Sequence, residues 1–184
     1  MEQINTLREI EDKIVEITMK MLDLDTTLEE NQGKVRLAWQ QKGTPSWGID
    51  EDICFIRVTP KDSPVARCSD VLYDKTTKKD EYATKEIGYT RVYTVDWTFY
   101  GPNSYDHADK SRYLIKNNQE IIDMFNRTHL FLGDDVSMPV RLPELFQGQW
   151  WERVDFQAEY NELVIRSTKE KNMTIGNIKY VINR

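Results

Sequence analysis

The sequence predicts an α+β fold, a mostly antiparallel sheet of long strands with two main helices packed on one face. Three observations predict it. The first 25 residues carry one apolar stripe at helical spacing. Residues Glu86 to Tyr100 alternate with period two over an unusual length. A second long alternating run begins at Gln149, and another helical pattern lies between the two runs.

The opening helix places Ile4, Leu7, Ile10, Ile14, Ile17, Met21 and Leu24 on one side, at spacings of three and four. Acids and lysines cover the rest, and the polar stretch ending at Gly33 stops it. "VRLAWQQ" follows as a half-buried strand with Val35, Leu37 and Trp39 on its core face. "DICFIRV" is apolar on both faces and reads as a central strand. Residues 60–85 are rich in charge and turn formers, with an apolar patch at Val71, Leu72 and Tyr73. They predict a charged hairpin or loop excursion, with two weak strands flanking "DKTTKKD".

In the first long strand Ile87, Tyr89, Arg91, Tyr93, Val95, Trp97 and Phe99 share one side. A Thr-rich set ending at Tyr100 takes the other. Gly101 and Pro102 end the strand, and Asn103 or Ser104 starts a second helix running to about Arg127. Its core stripe is Ala108, Ile115, Ile122 and Phe125. "HLFLG" is a short strand or turn, and the Pro-punctuated "SMPVRLPELFQGQ" is expected to be irregular. In "QWWERVDFQAEYNELVIRS", Trp150, Val154, Phe156, Ala158 and Tyr160 face the core, while Trp151, Arg153 and Asp155 face out. The alternation slips near Asn161–Leu163, which predicts a bulge or a strand end there. "MTIGNIKYVIN" is expected to be the last strand.

At 184 residues the chain is expected to form a single domain, residues 1–184, able to bury a core without staples. No run approaches the ~20 apolar residues of a membrane span, and the acidic amphipathic start is unlike a secretory signal. Assembly in a cytoplasm is the expectation. The formal charge is −6. Residues 1–34 hold nine acids against four bases, whereas 166–184 hold five bases against Glu170. These are either two solvated faces or two ends that meet, within one subunit or between neighbours.

Cys54 lies in an apolar run and is expected in the core; Cys68 sits in a polar loop. No clustered Cys/His spacing supports a metal site, and no glycine-rich phosphate loop is present. Neither His107 nor His129 has a ligand partner at helical spacing. No cofactor is expected. On a strand Arg153 and Asp155 share a face and can pair. Arg91 and Glu152 both fall on apolar sides and form a candidate buried ion pair. Tyr100, Trp151, Arg153 and Asp155, with Val71, Leu72 and Tyr73, are the candidate subunit or partner interface. The corner Gly101, Pro102, Asn103, Ser104 reads as structural, setting the angle between strand and helix.

"FYGPNSYDHADKSR" is similar to the Tyr-Gly-Pro-Asn corner of neck and tail-terminator proteins of tailed bacteriophages. "RLPELFQGQWWERVDFQAEYNE" resembles a second motif of that family. The resemblance covers about residues 35–182. It implies a structural virion protein with no enzymatic role, forming a ring, commonly a hexamer, at the head-proximal end of the tail. The implied partners are its own copies, the head connector and the tail tube, with double-stranded DNA passing through the lumen without sequence-specific binding. The residues alone leave two other readings open. One is a monomeric α+β binding module. The other is a small enzyme using carboxylates such as Glu152 and Asp155.

Overall fold

The structure is a computed structural model and describes residues 4–39, 43, 46–73 and 82–171. The expected last strand, 173–183, and most of the basic C-terminal end lie outside the described residues. In chain order the elements are α1 (Leu7–Met21), β1 (Val35–Leu37), β2 (Ile53–Lys61), β3 (Ser69–Tyr73), β4 (Tyr82–Tyr100), α2 (Ser104–Asn117) and α3 (Gln119–Arg127). Then come β5 (Leu130–Val136), β6 (Val140–Arg141), β7 (Glu144–Phe146), β8 (Gln149–Trp151) and β9 (Arg153–Lys171). The fold is α+β, with helices on one face of a mostly antiparallel sheet.

The main sheet runs β1-β2-β4-β9-β5, with β3 added to β4 and β6 to β9. Among the described strands only β1 is parallel to its neighbour. The β4–β9 ladder is the spine. Its register is unbroken from Tyr82↔Lys171 to Tyr100↔Arg153. Nineteen residues per strand at ~3.3 Å each give a ribbon about 60 Å long. One face of its inner half is the core floor: Tyr93, Val95, Trp97 and Phe99 lie beside Val154, Phe156, Ala158 and Tyr160, all buried. Trp97 stacks on Phe156 at 4.9 Å, and Tyr160 on Phe125 of α3 at 4.6 Å.

Helix α1 starts because Thr6 and Glu9 form a capping box: Thr6 Oγ1 accepts from the Glu9 amide and Glu9 Oε2 from the Thr6 amide. Ile10, Ile14, Ile17 and Met21 face the sheet, and Trp97 Nε1 donates to Thr18 Oγ1 at 3.0 Å. The expected second helix is two. Asn118 is extended (φ −94, ψ 115), and its side chain accepts from Ile121 N at 3.1 Å, so it caps a new helix. The break shifts the apolar phase, which is why Ile121 rather than Ile122 is fully buried beside Phe125.

Four further expectations are corrected. "SMPVRLPELFQGQ" is not irregular: β7 and β8 form a hairpin. Gln147 (φ 49) and Gly148 (φ 79) supply its two-residue turn. The second long strand is therefore interrupted at Glu152, and its phase does not carry back into β8. Trp150 is 65% exposed instead of buried. Trp39 is also exposed, because β1 ends at Leu37 and the indole lies beyond it with the Arg57 guanidinium over its ring. Trp97 and Cys54 are in the core as expected. No bulge interrupts β9 near Asn161–Leu163; the alternation continues through Glu162, which takes a core position as a charged residue.

Burial fades along the outer half of the ribbon. No described side chain of β4 before Val92, or of β9 beyond Val164, is buried, and β3 is exposed at every residue. With β3 on its flank this half forms a three-stranded arm.

Candidate functional site

The candidate site is surface: the corner, the root of the arm, the open sheet face, and the arm itself. Among the described residues no group of His, Cys, Asp and Glu is placed to hold a metal ion.

At the corner Gly101 adopts φ +107, a conformation that L side chains rarely enter. Its amide donates to Glu152 O at 3.4 Å, and its carbonyl accepts from Ser104 N at 3.2 Å. Asn103 is the N-cap of α2, but its side chain makes no cap bond. Its Nδ2 donates instead to Asp52 Oδ2 at 2.8 Å, and its backbone amide to Asp52 Oδ1 at 2.9 Å. Asp52, just before β2, is thus the clamp that holds the corner. Sequence reasoning missed it because a lone loop carboxylate carries no local signal.

The predicted pair of Arg91 with Glu152 does not form. In the β4–β9 register Arg91 lies opposite Glu162, while Glu152 precedes the far end of β9. Glu162 is 1% exposed and accepts from Arg91 Nε at 2.8 Å and from Asn5 Nδ2 at 2.8 Å. Arg91 also donates to Asn5 O at 2.7 Å, and Asn5 Nδ2 donates to Thr128 O at 3.0 Å. This polar knot ties the start of α1 and the end of α3 to the root of the arm. Tyr93, beside it, is pushed up to about 12, chiefly by burial. Glu152 pairs instead with Arg141 at the surface, and that bond holds its carboxyl below the usual value. A charged residue in core phase, Glu162, was the available signal for the knot.

The open face, opposite the helices, collects Tyr100, Trp151, Arg153 and Asp155. Arg153 forks onto Asp155, with Nε to Oδ1 at 2.9 Å, and also donates to Glu144. The Asp155 hydrogen bond holds the guanidinium above its ordinary value. Tyr100 donates to Glu144 Oε2 at 2.9 Å; burial, with that bond, raises the phenol to about 12. Trp47 packs against Phe55, Tyr100 and Trp151 with ring centroids 5.1–6.0 Å apart. Tyr100 and Trp151 are therefore half-buried around the Trp47 ring rather than outward-facing. Beside them lies an open groove of about 640 Å³, lined by Trp39, Phe55, Arg57, Thr98 and Arg153 among others.

Exposed apolar side chains gather at both ends of the ribbon. Val71, Leu72 and Tyr73 are 47%, 66% and 55% exposed on β3. At the other end Leu142, Leu145, Phe146 and Trp150 stand out from the hairpin and the segment before it. Exposed apolar patches of this kind mark contact surfaces.

The described residues define a long-stranded α+β protein with exposed apolar side chains at both ends of its sheet. The family model of the phage neck terminator protein matches residues 8–183, nearly the whole chain, and the chain belongs to that family. No curated protein matches it. Membership gives it a structural role at the phage neck, terminating the tail, and a place in the virion among other head and tail proteins. No helix among the described residues is long and apolar enough to cross a membrane.

Proposed function

We propose that the chain works as a ring of six copies at the head-proximal end of the tail. The ring joins the head connector to the tail tube, is assembled in the host cytoplasm, and lets double-stranded DNA pass through its lumen. The observation that carries this reading is the arm. A ribbon of about 60 Å outruns the helical layer and carries β3, exposed at every residue. Among the described residues no strand pairs with the outer edge of β3. A bare strand edge on a soluble protein is a hazard unless something covers it, and in a neck protein the natural cover is another subunit.

The charge supports passage of DNA rather than grip. The chain is net negative, and on the open face Arg57 faces Asp96, Lys61 faces Glu159 and Arg153 faces Asp155. Cations already matched by carboxylates offer little to phosphates. The test is light scattering after size exclusion, together with negative-stain micrographs, of the chain alone and with connector or tail-tube protein. Rings are expected under at least one of these conditions. A chain that stays monomeric with both partners present overturns the reading and favours a monomeric binding module.

A further inference from the structure

We infer that the arm is a lever hinged at its root, and that the buried Glu162 carboxylate, with Arg91 and Asn5, is the latch that sets its angle to the body. The hinge is visible in the ladders. On one side of β4 the pairing with β2 ends at Lys61↔Val92, and that with β3 begins only at Ser69↔Tyr89. Among the described residues Thr90 and Arg91 therefore have no strand on that side. A ribbon bends most easily where it has fewest strands. Core burial stops at the same level, and the core cluster holds no residue of the arm. The link between β2 and β3 bonds to itself: Arg67 Nε donates to Asp62 Oδ1 at 2.9 Å, and Ala66 N to Ser63 Oγ at 3.2 Å. Beside the bend it leaves an open hollow of about 310 Å³, lined by Leu7, Pro60, Ala66, Tyr89 and Thr90 among others. The arm has room to move there.

The latch lies at that level, where the ladder sets Arg91 opposite Glu162. Glu162 accepts from the strand beside it and from the helical layer at once. Arg91 Nε donates to Oε2 at 2.8 Å, whereas Asn5 donates to Oε1 through its backbone N at 3.3 Å and its Nδ2 at 2.8 Å. Arg91 closes the loop by donating to Asn5 O at 2.7 Å, and Asn5 Nδ2 reaches Thr128 O at 3.0 Å. Asn5 precedes the capping box of α1, and Thr128 ends α3. The helical layer is thus bonded to both strands of the ribbon where they bend. A carboxylate this deeply buried is costly to leave without its donors, so the latch is either closed or broken and has little slack. A partner that grips β3 pulls on a lever. Leu72 pairs with Glu86, and the strand from Glu86 to Arg91 is about 17 Å long. A swing of ~15° at the hinge moves Leu72 by ~4 Å and leaves the body folded.

The test uses the full chain carrying Cys68→Ser, which removes the exposed native thiol while buried Cys54 stays. Nitroxide labels are placed on the arm through Leu72→Cys and on the exposed end of α2 through Lys116→Cys. The distance between them is read by double electron–electron resonance, with the labelled chain diluted into unlabelled chain so that only distances within one copy count. The parent is expected to give one narrow distance. Glu162→Gln and Asn5→Ala, each made in the labelled chain, are expected to shift it by ~4 Å or to make its distribution about twice as wide, with the helical circular dichroism kept. Asn5→Ala retains the bond between Arg91 and Glu162 and carries the test if Glu162→Gln does not fold. A distance that stays narrow and unmoved in the variants overturns the latch. A parent distribution already as broad as theirs overturns it too. Gly101→Ala, which strains the far end of β4, is the control; equal broadening there marks general loosening and refutes the inference. The device belongs to a single copy, so none of these outcomes depends on whether copies close into a ring.

Discussion

Gly101→Ala adds one methyl group at the corner between β4 and α2, and the structure states what that methyl meets. A Cβ there lies 2.6 Å from Asp52 Oδ1, 2.6 Å from Glu51 O and 2.8 Å from Asp52 Cα. Two of these are backbone atoms, and the third is a carboxylate already held by Asn103. None can swing away cheaply. The φ of +107 adds a dihedral penalty of about 1–3 kcal/mol. Overpacking adds a further ~1–3 kcal/mol. The sum, about 2–6 kcal/mol, is a large share of a typical folding stability of ~5–15 kcal/mol. At this chain length it lowers the melting temperature on the order of 10 °C. Two controls separate the terms. Gly148→Ala meets a positive φ of 79 with nothing within 4 Å, so it reports the dihedral cost alone. Gly88→Ala meets nothing closer than Leu163 Cδ1 at 4.0 Å and has no positive φ. Urea denaturation of the three variants is the assay. If Gly101→Ala loses no more than Gly148→Ala, the close approach of Asp52 is not what demands glycine, and the reasoning fails.

Two other expectations concern the buried polar groups. Glu162→Leu leaves the Arg91 guanidinium and the Asn5 amide without their acceptor, and Arg91→Met leaves a buried carboxylate; each costs about 3–5 kcal/mol. The double variant costs at least ~1 kcal/mol less than the two singles added, and strict additivity in urea rejects the coupling. The surface pair of Arg141 and Glu152 is the contrast: Arg141→Gln leaves the urea midpoint essentially unchanged. At alkaline pH the folded phenols of Tyr93 and Tyr100 hold protons up to about 12, while the unfolded chain gives them up near 10. The folded state then binds more protons, so the contribution of these two phenols to stability is constant below about 10 and falls as pH rises toward 12. Urea midpoints across that window check it, with a shallower fall expected for Tyr93→Phe and Tyr100→Phe; a flat profile contradicts it.

The sequence alone determined what depends on near neighbours. The stripe of α1, the alternation of β4 and the core side of β9 from Val154 to Tyr160 are all periodic, and periodicity tells which face of an element is greasy. The side-by-side pairing of Arg153 with Asp155 was legible for the same reason: two residues apart on a strand is a contact. The tertiary structure decided everything that needed a partner from far along the chain. Arg91 met Glu162 and not Glu152 because the ladder register, not the sequence distance, sets which charges face each other. Trp150 and Trp151 exchanged places because the strand stops at Glu152 and the hairpin restarts the phase. Asp52 clamped a corner 51 residues away. A periodic pattern fixes orientation within one element and carries no information across a break. Which elements abut, and which ends stay bare, is settled only when all of them compete for the same core.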